Sequence, residues 1–233
     1  SWLIWNLTNG LRHITDYTNA SRTMLFDIRL GKWSEELAEA MDIPLSLLPE
    51  VVPSSGSLAE VGGNYFGGKT ITITGIAGDQ QSSLFGQACF DEGMAKTTYG
   101  TGAFILANLG KSSLQSQNGL LTTIAWNLNG ESIYALEGGV FSAGATIQWL
   151  RDELGIIESS EESETLANNV EDNGGVYFVP AFSGLGAPYW DPRARGSVSG
   201  LSRGTSASHI ARAALESIAF QCEDVFRVMQ NDM

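Results

Sequence analysis

The clearest change of pattern in the chain lies within residues 70–87, TITITGIAGDQQSSLFGQ. Over 70–74 isoleucines alternate with threonines, and this period of two predicts a β-strand. Two glycines follow within the next four residues, where they favour a break in the strand and a tight turn. A helix-like stretch begins at once. The pattern therefore predicts a strand, a turn and a helix, with a single carboxylate, Asp79, where the helix begins.

The same reasoning predicts further elements of both kinds along the chain. They are a helix over 34–41, two strands within 94–110, a hairpin within 120–139, a helix over 144–155, a buried strand over 175–182 and a last helix over 208–230. The Pro-, Ser- and Gly-rich segment 43–69 is interpreted as a connection. The acidic segment 158–175 is interpreted as a solvated face. Together these elements predict a mixed α/β chain.

Local signals define several of these boundaries. Ser34 can cap its helix, and Gly155 suits the position just after a helix end. Asn129-Gly130 tolerates the positive φ angles of a type I′ turn, which predicts the hairpin. In the helix over 144–155, a buried stripe is predicted that includes Leu154.

Composition limits the possible partners. The chain has 233 residues, a formal charge of −13 and a pI near 4.4, so nucleic acid and anionic membrane surfaces are poor partners. Anionic small ligands stay possible, because backbone N–H groups can bind them. Cys89 and Cys222 form no disulfide framework and are expected in the core. Without a signal peptide or transmembrane run, the expected location is the cytoplasm.

One motif is set aside on its context. Residues 63–70, GNYFGGKT, satisfy the phosphate-binding pattern G-x-x-x-x-G-K-[ST]. That mechanism needs a helix directly after Lys69, so that the phosphates meet a helix N-terminus. A strand pattern follows instead, which favours a glycine-rich turn over a P-loop NTPase.

Three stretches carry candidate chemistry, each with an alternative. Asp79 lies where α/β folds hold ligands, outside the carboxyl end of a strand, but aspartate is also a common helix N-cap, and spacing alone favours the cap. The glycines around Thr101 would let a phosphate approach the backbone, as a tight hairpin would also require. Gly144 and Gln148 share one helix face, which suits a nucleotide or close helix packing.

Several longer motifs resemble the FGGY carbohydrate kinases, and among them the members that phosphorylate glycerol. The motifs occur in order along almost the whole chain: DYTNASRTMLFDI (16–28), ITGIAGDQQSSLFGQ (73–87), GMAKTTYGTGAFIL (93–106), NGLLTTIAW (118–126), YALEGGVFSAGATIQWLRDEL (134–154) and VPAFSGLGAPYWDPRARGSVSGLSRGT (179–205). The resemblance implies an actin-like, ribonuclease H-like ATPase fold in a two-domain kinase. It places the end of the first domain in 1–74 and the beginning of the second in 75–233.

The resemblance also implies roles for individual residues. Asp79 matches the catalytic base, Gln80 a glycerol contact, and Phe104 an aromatic side chain that packs on the glycerol carbons. The matches to nucleotide contacts are Thr101, Gly144 and Gln148. Glycerol and ATP or ADP are the implied ligands, with Mg²⁺ arriving on the nucleotide and no metal held by the protein. A homo-oligomer is implied for the full-length protein.

The expected extent of the chain qualifies this assignment. It begins without methionine and corresponds to the middle of such a kinase, so it is expected to be an internal piece without activity of its own. Two alternatives remain open beside the P-loop. One is another FGGY sugar or polyol kinase, and the other is a non-catalytic, actin-like ATP-binding module.

Overall fold

The structure is a computed structural model that describes all residues from Ser1 to Met233. The chain divides into two compact units. Unit 1 comprises Ser1–Lys96, Leu106–Gln115 and Thr122–Leu136, and unit 2 comprises Thr97–Ile105, Ser116–Leu121 and Glu137–Met233.

Helices are distributed along the whole chain. Seven are α-helices: α1 (Trp2–Leu7), α2 (Tyr17–Ala20), α3 (Glu35–Ala40), α4 (Asp79–Gly86), α5 (Gly144–Asp152), α6 (Glu162–Asn168) and α7 (Ala207–Asp232). One 3₁₀ turn spans Leu45–Leu47. None of these helices is both long and apolar enough to cross a bilayer.

The chain also contains twelve strands. They are β1 (Ile14–Asp16), β2 (Phe26–Asp27), β3 (Lys32–Trp33), β4 (Glu50–Val52), β5 (Ser55–Val61), β6 (Ile71–Gly75), β7 (Ala95–Tyr99), β8 (Ala103–Gly110), β9 (Leu121–Leu128), β10 (Glu131–Val140), β11 (Tyr177–Val179) and β12 (Ser197–Ser199). The largest sheet has the order β7-β8-β10-β9.

Unit 1 contains two small pairs of strands over one apolar cluster. β1 and β4 pair in parallel, and β5 and β6 pair antiparallel with Ala59 opposite Ile73. The buried side chains of Ile14, Val52 and Leu58 pack together, and Ile73 packs against them. β6 is the predicted strand over 70–74, so the chain after Lys69 forms a strand and the rejection of the P-loop is confirmed.

Unit 2 has a core formed by α5, α7 and β11. Leu150, Val176 and Ala214 are fully buried in it. Trp149 and Phe178 meet edge to face with ring centroids 5.7 Å apart. This packing holds the last two turns of α5 on the long helix α7.

Several boundaries predicted from local signals are confirmed. The Ser34 side chain accepts a hydrogen bond from the Leu37 N–H at the start of α3. Asn129 and Gly130 have φ angles of 53° and 84° between β9 and β10, as the predicted hairpin requires. The last helix extends slightly beyond its predicted range. Cys89 and Cys222 are buried and free, as expected.

The predicted end of the helix over 144–155 is wrong. α5 ends at Asp152, and Leu154 is 43% exposed instead of completing a buried stripe. Gly155 has a φ of 61°, but it lies beyond the last helical turn. The Ile156 N–H donates to the Leu150 carbonyl, so the chain leaves the helical path before Gly155. Ile157 then packs into the core.

Three other segments depart from the predictions because tertiary pairing overrides local composition. The presumed connection 43–69 contains β4 and β5, which pair with β1 and β6. The acidic segment 158–175 contains α6, whose Ala167 is buried, so it is only in part a solvated face. The buried strand predicted over 175–182 is the short β11, where only Phe178 points into the core.

Candidate functional site

Asp79 is the first residue of α4, directly after the turn that follows β6. Gly78 takes the N-cap position, with φ −64° and ψ 150°. The Asp79 carboxylate is exposed, and its Oδ1 accepts a hydrogen bond of 2.8 Å from the neighbouring Gln80 N–H. The interpretation of Asp79 as N-cap is therefore wrong, because the residue lies one position too late. A helix N-terminus nevertheless favours a negative charge there.

Gln80 lies beside this carboxylate, and a buried lysine fixes the orientation of its side-chain amide. The Lys96 Nζ donates a hydrogen bond to Gln80 Oε1, and Lys96 is only 5% exposed. Because an ammonium can only donate, the amide oxygen must face it. The Gln80 NH₂ group is then the part of the amide left to donate to a ligand. Asp79 and Gln80 thus present an acceptor and a donor side by side.

The turn over 100–102 is tightly closed. Its Gly100 N–H donates to the Gly102 carbonyl at 2.8 Å. A Cβ atom at Gly102 would lie 2.3 Å from the Val140 carbonyl oxygen, so a side chain has no room there. Thr101 is exposed at the tip. The two predicted strands, β7 and β8, meet at this turn, so the hairpin geometry is present.

Helix α5 begins against this turn. The Gly144 N–H donates to the Gly100 carbonyl at 2.9 Å, and the Ala145 N–H donates to the Thr101 carbonyl at 3.0 Å. A Cβ atom at Gly144 would lie 2.5 Å from the Gly100 oxygen. Close packing therefore already accounts for this glycine. Gln148, one turn further along, is exposed.

Tyr99 precedes the turn and contacts the buried Cys222. Burial is the largest cause that raises the pKa of Tyr99, followed by its hydrogen bond with the Cys222 thiol. Burial likewise raises the pKa of Cys222. Both groups are therefore neutral at physiological pH, so the end of β7 carries no charge from this pair.

Phe104 extends from β8 with 41% of its surface exposed. Its ring packs on Gly139, where an added Cβ atom would lie 3.5 Å from the ring. The ring therefore has one side against the backbone of β10 and an exposed part that a ligand can reach.

The six predicted residues are distributed over both units. Unit 1 holds Asp79 and Gln80 as sequence neighbours, and unit 2 holds Phe104 together with the three predicted nucleotide contacts. Within unit 2, backbone hydrogen bonds join the turn that carries Thr101 to the start of α5 at Gly144. No group of three or more His, Cys, Asp or Glu side chains is placed to hold a metal ion.

Two family models match the chain and together cover nearly all of it. The N-terminal domain of the FGGY family of carbohydrate kinases matches residues 1–86, and the C-terminal domain of the same family matches residues 95–233.

The chain belongs to the FGGY family of carbohydrate kinases.

Curated FGGY relatives are similar over the whole chain. The glycerol kinases of Alkaliphilus metalliredigens, Carboxydothermus hydrogenoformans and Halorhodospira halophila are each 60% identical to it over 232 residues. The alignment covers 100% of this chain and 46% of each relative. The chain thus spans less than half the length of the curated relatives it matches.

Solved FGGY structures have the same fold. The structure of Plasmodium falciparum glycerol kinase with ADP matches with a TM-score of 0.91 and 44% identity, over 99% of this chain and 46% of that chain. Xylulose kinase from Lactobacillus acidophilus matches with a TM-score of 0.84 and 23% identity, over 98% and 46% of the two chains, which supports the fold alone. The chain has the actin-like ATPase fold of the family.

Sequence reasoning missed the buried side chains behind the FGGY residues Asp79 and Gln80. Lys96 was a lone lysine in a strand pattern, and nothing in its spacing linked it to Gln80. The structure shows that Lys96 is buried, and a buried lysine needs a partner, but the sequence alone does not show this burial. The domain boundary predicted after residue 74 and the roles of the six site residues stay predictions.

Proposed function

We propose that the intact protein transfers the γ-phosphoryl group of ATP to glycerol, with Asp79 as the catalytic base. Relatives named glycerol kinase at 60% identity support the substrate. The observation that carries the assignment to Asp79 is its position: an exposed carboxylate on the first residue of α4, held only through the neighbouring Gln80 N–H. Such a group can accept a proton from a bound alcohol.

The chemistry needs a base at a fixed position. A primary hydroxyl is a poor nucleophile towards a phosphoryl group, and phosphoryl transfer depends mainly on alignment and charge stabilisation. Asp79 orients the attacking hydroxyl and accepts its proton as the new P–O bond forms. The product is sn-glycerol 3-phosphate, and ADP leaves with the electron pair of the broken P–O bond.

The residues that the family resemblance assigns to the substrate have side chains that suit a small polyol. The Gln80 NH₂ group, oriented by Lys96, donates a hydrogen bond to a glycerol hydroxyl oxygen. The exposed part of the Phe104 ring packs on the glycerol carbons and covers the apolar edge of the ligand. A donor, an acceptor and an aromatic surface together match a molecule with hydroxyl groups on a short carbon chain.

The nucleotide side is assigned to Thr101, Gly144 and Gln148. The exposed Thr101 hydroxyl and the Gln148 amide offer uncharged groups, so an acidic protein need not use lysines to bind a nucleotide. A solved relative of 44% identity holds ADP. Mg²⁺, bound to the nucleotide phosphates, would neutralise their charge.

Activity is assigned to the intact protein only. The chain covers 46% of its relatives, so we propose that these 233 residues alone show no glycerol-dependent ATP turnover. We also propose a cytoplasmic location and a homo-oligomeric state for the intact protein, on family resemblance alone.

The test is the substitution Asp79→Asn in the intact protein, with steady-state glycerol phosphorylation and nucleotide binding as readouts. Loss of the base should lower kcat by about 100- to 10,000-fold while nucleotide binding is kept. Asp91→Asn, which changes another exposed carboxylate of unit 1, should leave both unchanged.

The same experiment separates the alternatives. If Asp79→Asn turns over glycerol at the wild-type rate, Asp79 is not the base. If xylulose or gluconate is phosphorylated faster than glycerol by the wild-type protein, the protein is another FGGY sugar kinase. If the wild-type protein binds nucleotide without phosphorylating any polyol, it is an ATP-binding module.

A further inference from the structure

A buried polar network lies behind the turn that carries Asp79. Its centre is Asp16, the last residue of β1, which is 0% exposed. The network lies wholly within unit 1 and includes no residue assigned to ligand contact.

Asp16 is surrounded by neutral donors. Its carboxylate oxygens accept hydrogen bonds from the Thr18 N–H at 3.0 Å, the Asn19 N–H at 3.1 Å, the Asn19 amide at 2.7 Å and the Ser54 hydroxyl at 2.8 Å. The Thr18 hydroxyl adds a further bond of 2.8 Å. A buried carboxylate with this many donors has a fixed orientation, because any rotation would break several bonds at once.

Thr18 connects this centre to the turn before α4. Its hydroxyl donates to Asp16 and at the same time accepts a hydrogen bond of 2.7 Å from the Gly78 N–H. Thr18 is itself 0% exposed. The bond crosses 60 residues of sequence and ends on the residue immediately before Asp79.

Gly78 is confined on its other side as well. A Cβ atom there would lie 2.6 Å from Gln81 Oε1 and 3.7 Å from Thr18 Oγ1. The Gln81 Nε2 donates in turn to the Thr123 hydroxyl at 3.3 Å. The backbone at Gly78 is thus held between a hydroxyl anchored by Asp16 and an amide anchored by the sheet.

We propose that Thr18, oriented by Asp16, is a positioning residue for the catalytic base. The inference rests on the proposed function for the role of Asp79. The Gly78 N–H has no partner within its own helix, since the first N–H groups of a helix lack intrahelical acceptors. By accepting this bond, Thr18 fixes the direction in which the chain enters α4, and with it the place of the Asp79 carboxylate.

Capping of the short helix α2 is the simpler role for Asp16, and it accounts for the bonds to the Thr18 and Asn19 N–H groups. It does not account for the Thr18 hydroxyl, which is shared between Asp16 and Gly78. The positioning role therefore belongs to this hydroxyl, and substitution of Thr18 tests it without removing the cap.

The experiment compares three variants of the intact protein. Thr18→Val keeps the shape and removes the hydroxyl, Thr18→Ser keeps the hydroxyl, and Thr8→Val is the matched control. Thr8 is also a buried threonine of unit 1 that bonds to backbone, with its hydroxyl 2.8 Å from the Ile4 carbonyl, but it lies outside the network. The readouts are kcat, KM for glycerol, the Kd for ADP, and hydrogen exchange at the Gly78 amide.

For Thr18→Val we expect kcat to fall about 10- to 100-fold, because a small displacement of a reacting group can cost a factor of that size. The Kd for ADP should stay within about twofold, and the Gly78 amide should exchange faster. Thr18→Ser should restore kcat to within about threefold. Thr8→Val should lower the unfolding temperature but leave kcat and Gly78 exchange unchanged.

Two outcomes would overturn the proposal. One is a Thr18→Val enzyme with wild-type kcat, and the other is an equal loss of kcat in Thr8→Val, which would indicate general destabilisation. If the wild-type protein phosphorylates no polyol, the proposed function fails. Gly78 exchange then tests the positioning alone, and unchanged protection in Thr18→Val would refute it.

Discussion

The two units hold their candidate residues by different physical means. In unit 1, Asp79 and Gln80 are backed by polar side chains: Thr18 bonds to the backbone before the base, and Lys96 bonds to the amide beside it. In unit 2, backbone hydrogen bonds join the turn that carries Thr101 to the start of α5, and the lack of a side chain at Gly144 lets the two approach closely.

This difference indicates how each part should respond to mutation. A hydrogen-bonded side chain can be exchanged for an isostere, which removes one interaction and leaves the packing intact. A glycine under a carbonyl has no such substitute, because any side chain must displace the backbone. Substitutions behind the unit 1 residues should therefore lower the rate or the ligand affinity. Substitution of the unit 2 glycine should lower the stability of the fold.

The largest effect is expected for Gly144→Ala. The new methyl group would lie 2.5 Å from the Gly100 oxygen, and overpacking of this kind costs about 1–3 kcal/mol. The unfolding temperature of the intact protein, measured by calorimetry, should fall. Nucleotide affinity should also fall, because the helix start and the turn would move apart.

Gly86→Ala is the matched control for this substitution. Gly86 is the last residue of α4 and has no atom within 4 Å of an added Cβ. Alanine is favoured over glycine in helices by up to about 1 kcal/mol, so the unfolding temperature should stay equal or rise. Weaker nucleotide binding by Gly144→Ala at unchanged stability would contradict the packing role and favour open space for the nucleotide.

Lys96→Met should have an intermediate effect, confined to the polyol. Without the ammonium, the Gln80 amide is free to turn its oxygen towards the ligand, and the donor to glycerol is lost for part of the time. The bond from the Gln80 amide to a glycerol hydroxyl joins two neutral groups, and such a bond contributes about 0.5–1.5 kcal/mol, so we expect KM for glycerol to rise about 2- to 12-fold. The Kd for ADP should not change.

Lys111→Met controls for the loss of a lysine from unit 1. Lys111 pairs with Glu131 at 3.1 Å on the surface, with both side chains about 70% exposed, and exposed pairs contribute about 0–1 kcal/mol. Its kinetics should match the wild type. An unchanged KM in Lys96→Met would show that the orientation of Gln80 does not matter for glycerol.

The smallest difference is expected in the thiol reactivity of the two cysteines, one in each unit. Cys89 in unit 1 and Cys222 in unit 2 are each 4% exposed. Because the thiolate is the reactive form, the raised pKa of Cys222 should delay its labelling to a higher pH than an ordinary thiol requires. Mass spectrometry of iodoacetamide-treated protein at pH 7 to 9 measures this. Rapid labelling of Cys222 at pH 7 would contradict its burial.

Local sequence was sufficient for elements whose determinants are adjacent. The alternation before Gly75, the Asn129-Gly130 turn and the Ser34 cap each depend on a few neighbouring residues. The junction that holds Asp79 was recognised for the same reason, since strand, turn and helix follow one another within a short stretch.

The remaining features depend on partners that are distant in sequence. Segment 43–69 is rich in residues typical of loops, yet its strands form because β1 and β6 supply hydrogen bonds. The bond from Gly78 to Thr18 joins residues whose local patterns are unrelated. Lys96 likewise shows its partner only once β7 is placed beside α4. No period or turn signal contains such information.

The surroundings of Asp16 also bear on the response of the protein to ionic strength. Dissolved ions weaken attraction between exposed charges, such as Arg12 with Glu50 or Arg227 with Glu223. The hydrogen-bond partners of Asp16 are all uncharged donors, and its carboxylate is buried away from solvent, so counterions cannot displace these donors. Although the chain has a formal charge of −13, the hydrogen bonds that hold the turn before Asp79 should therefore persist at high salt concentration.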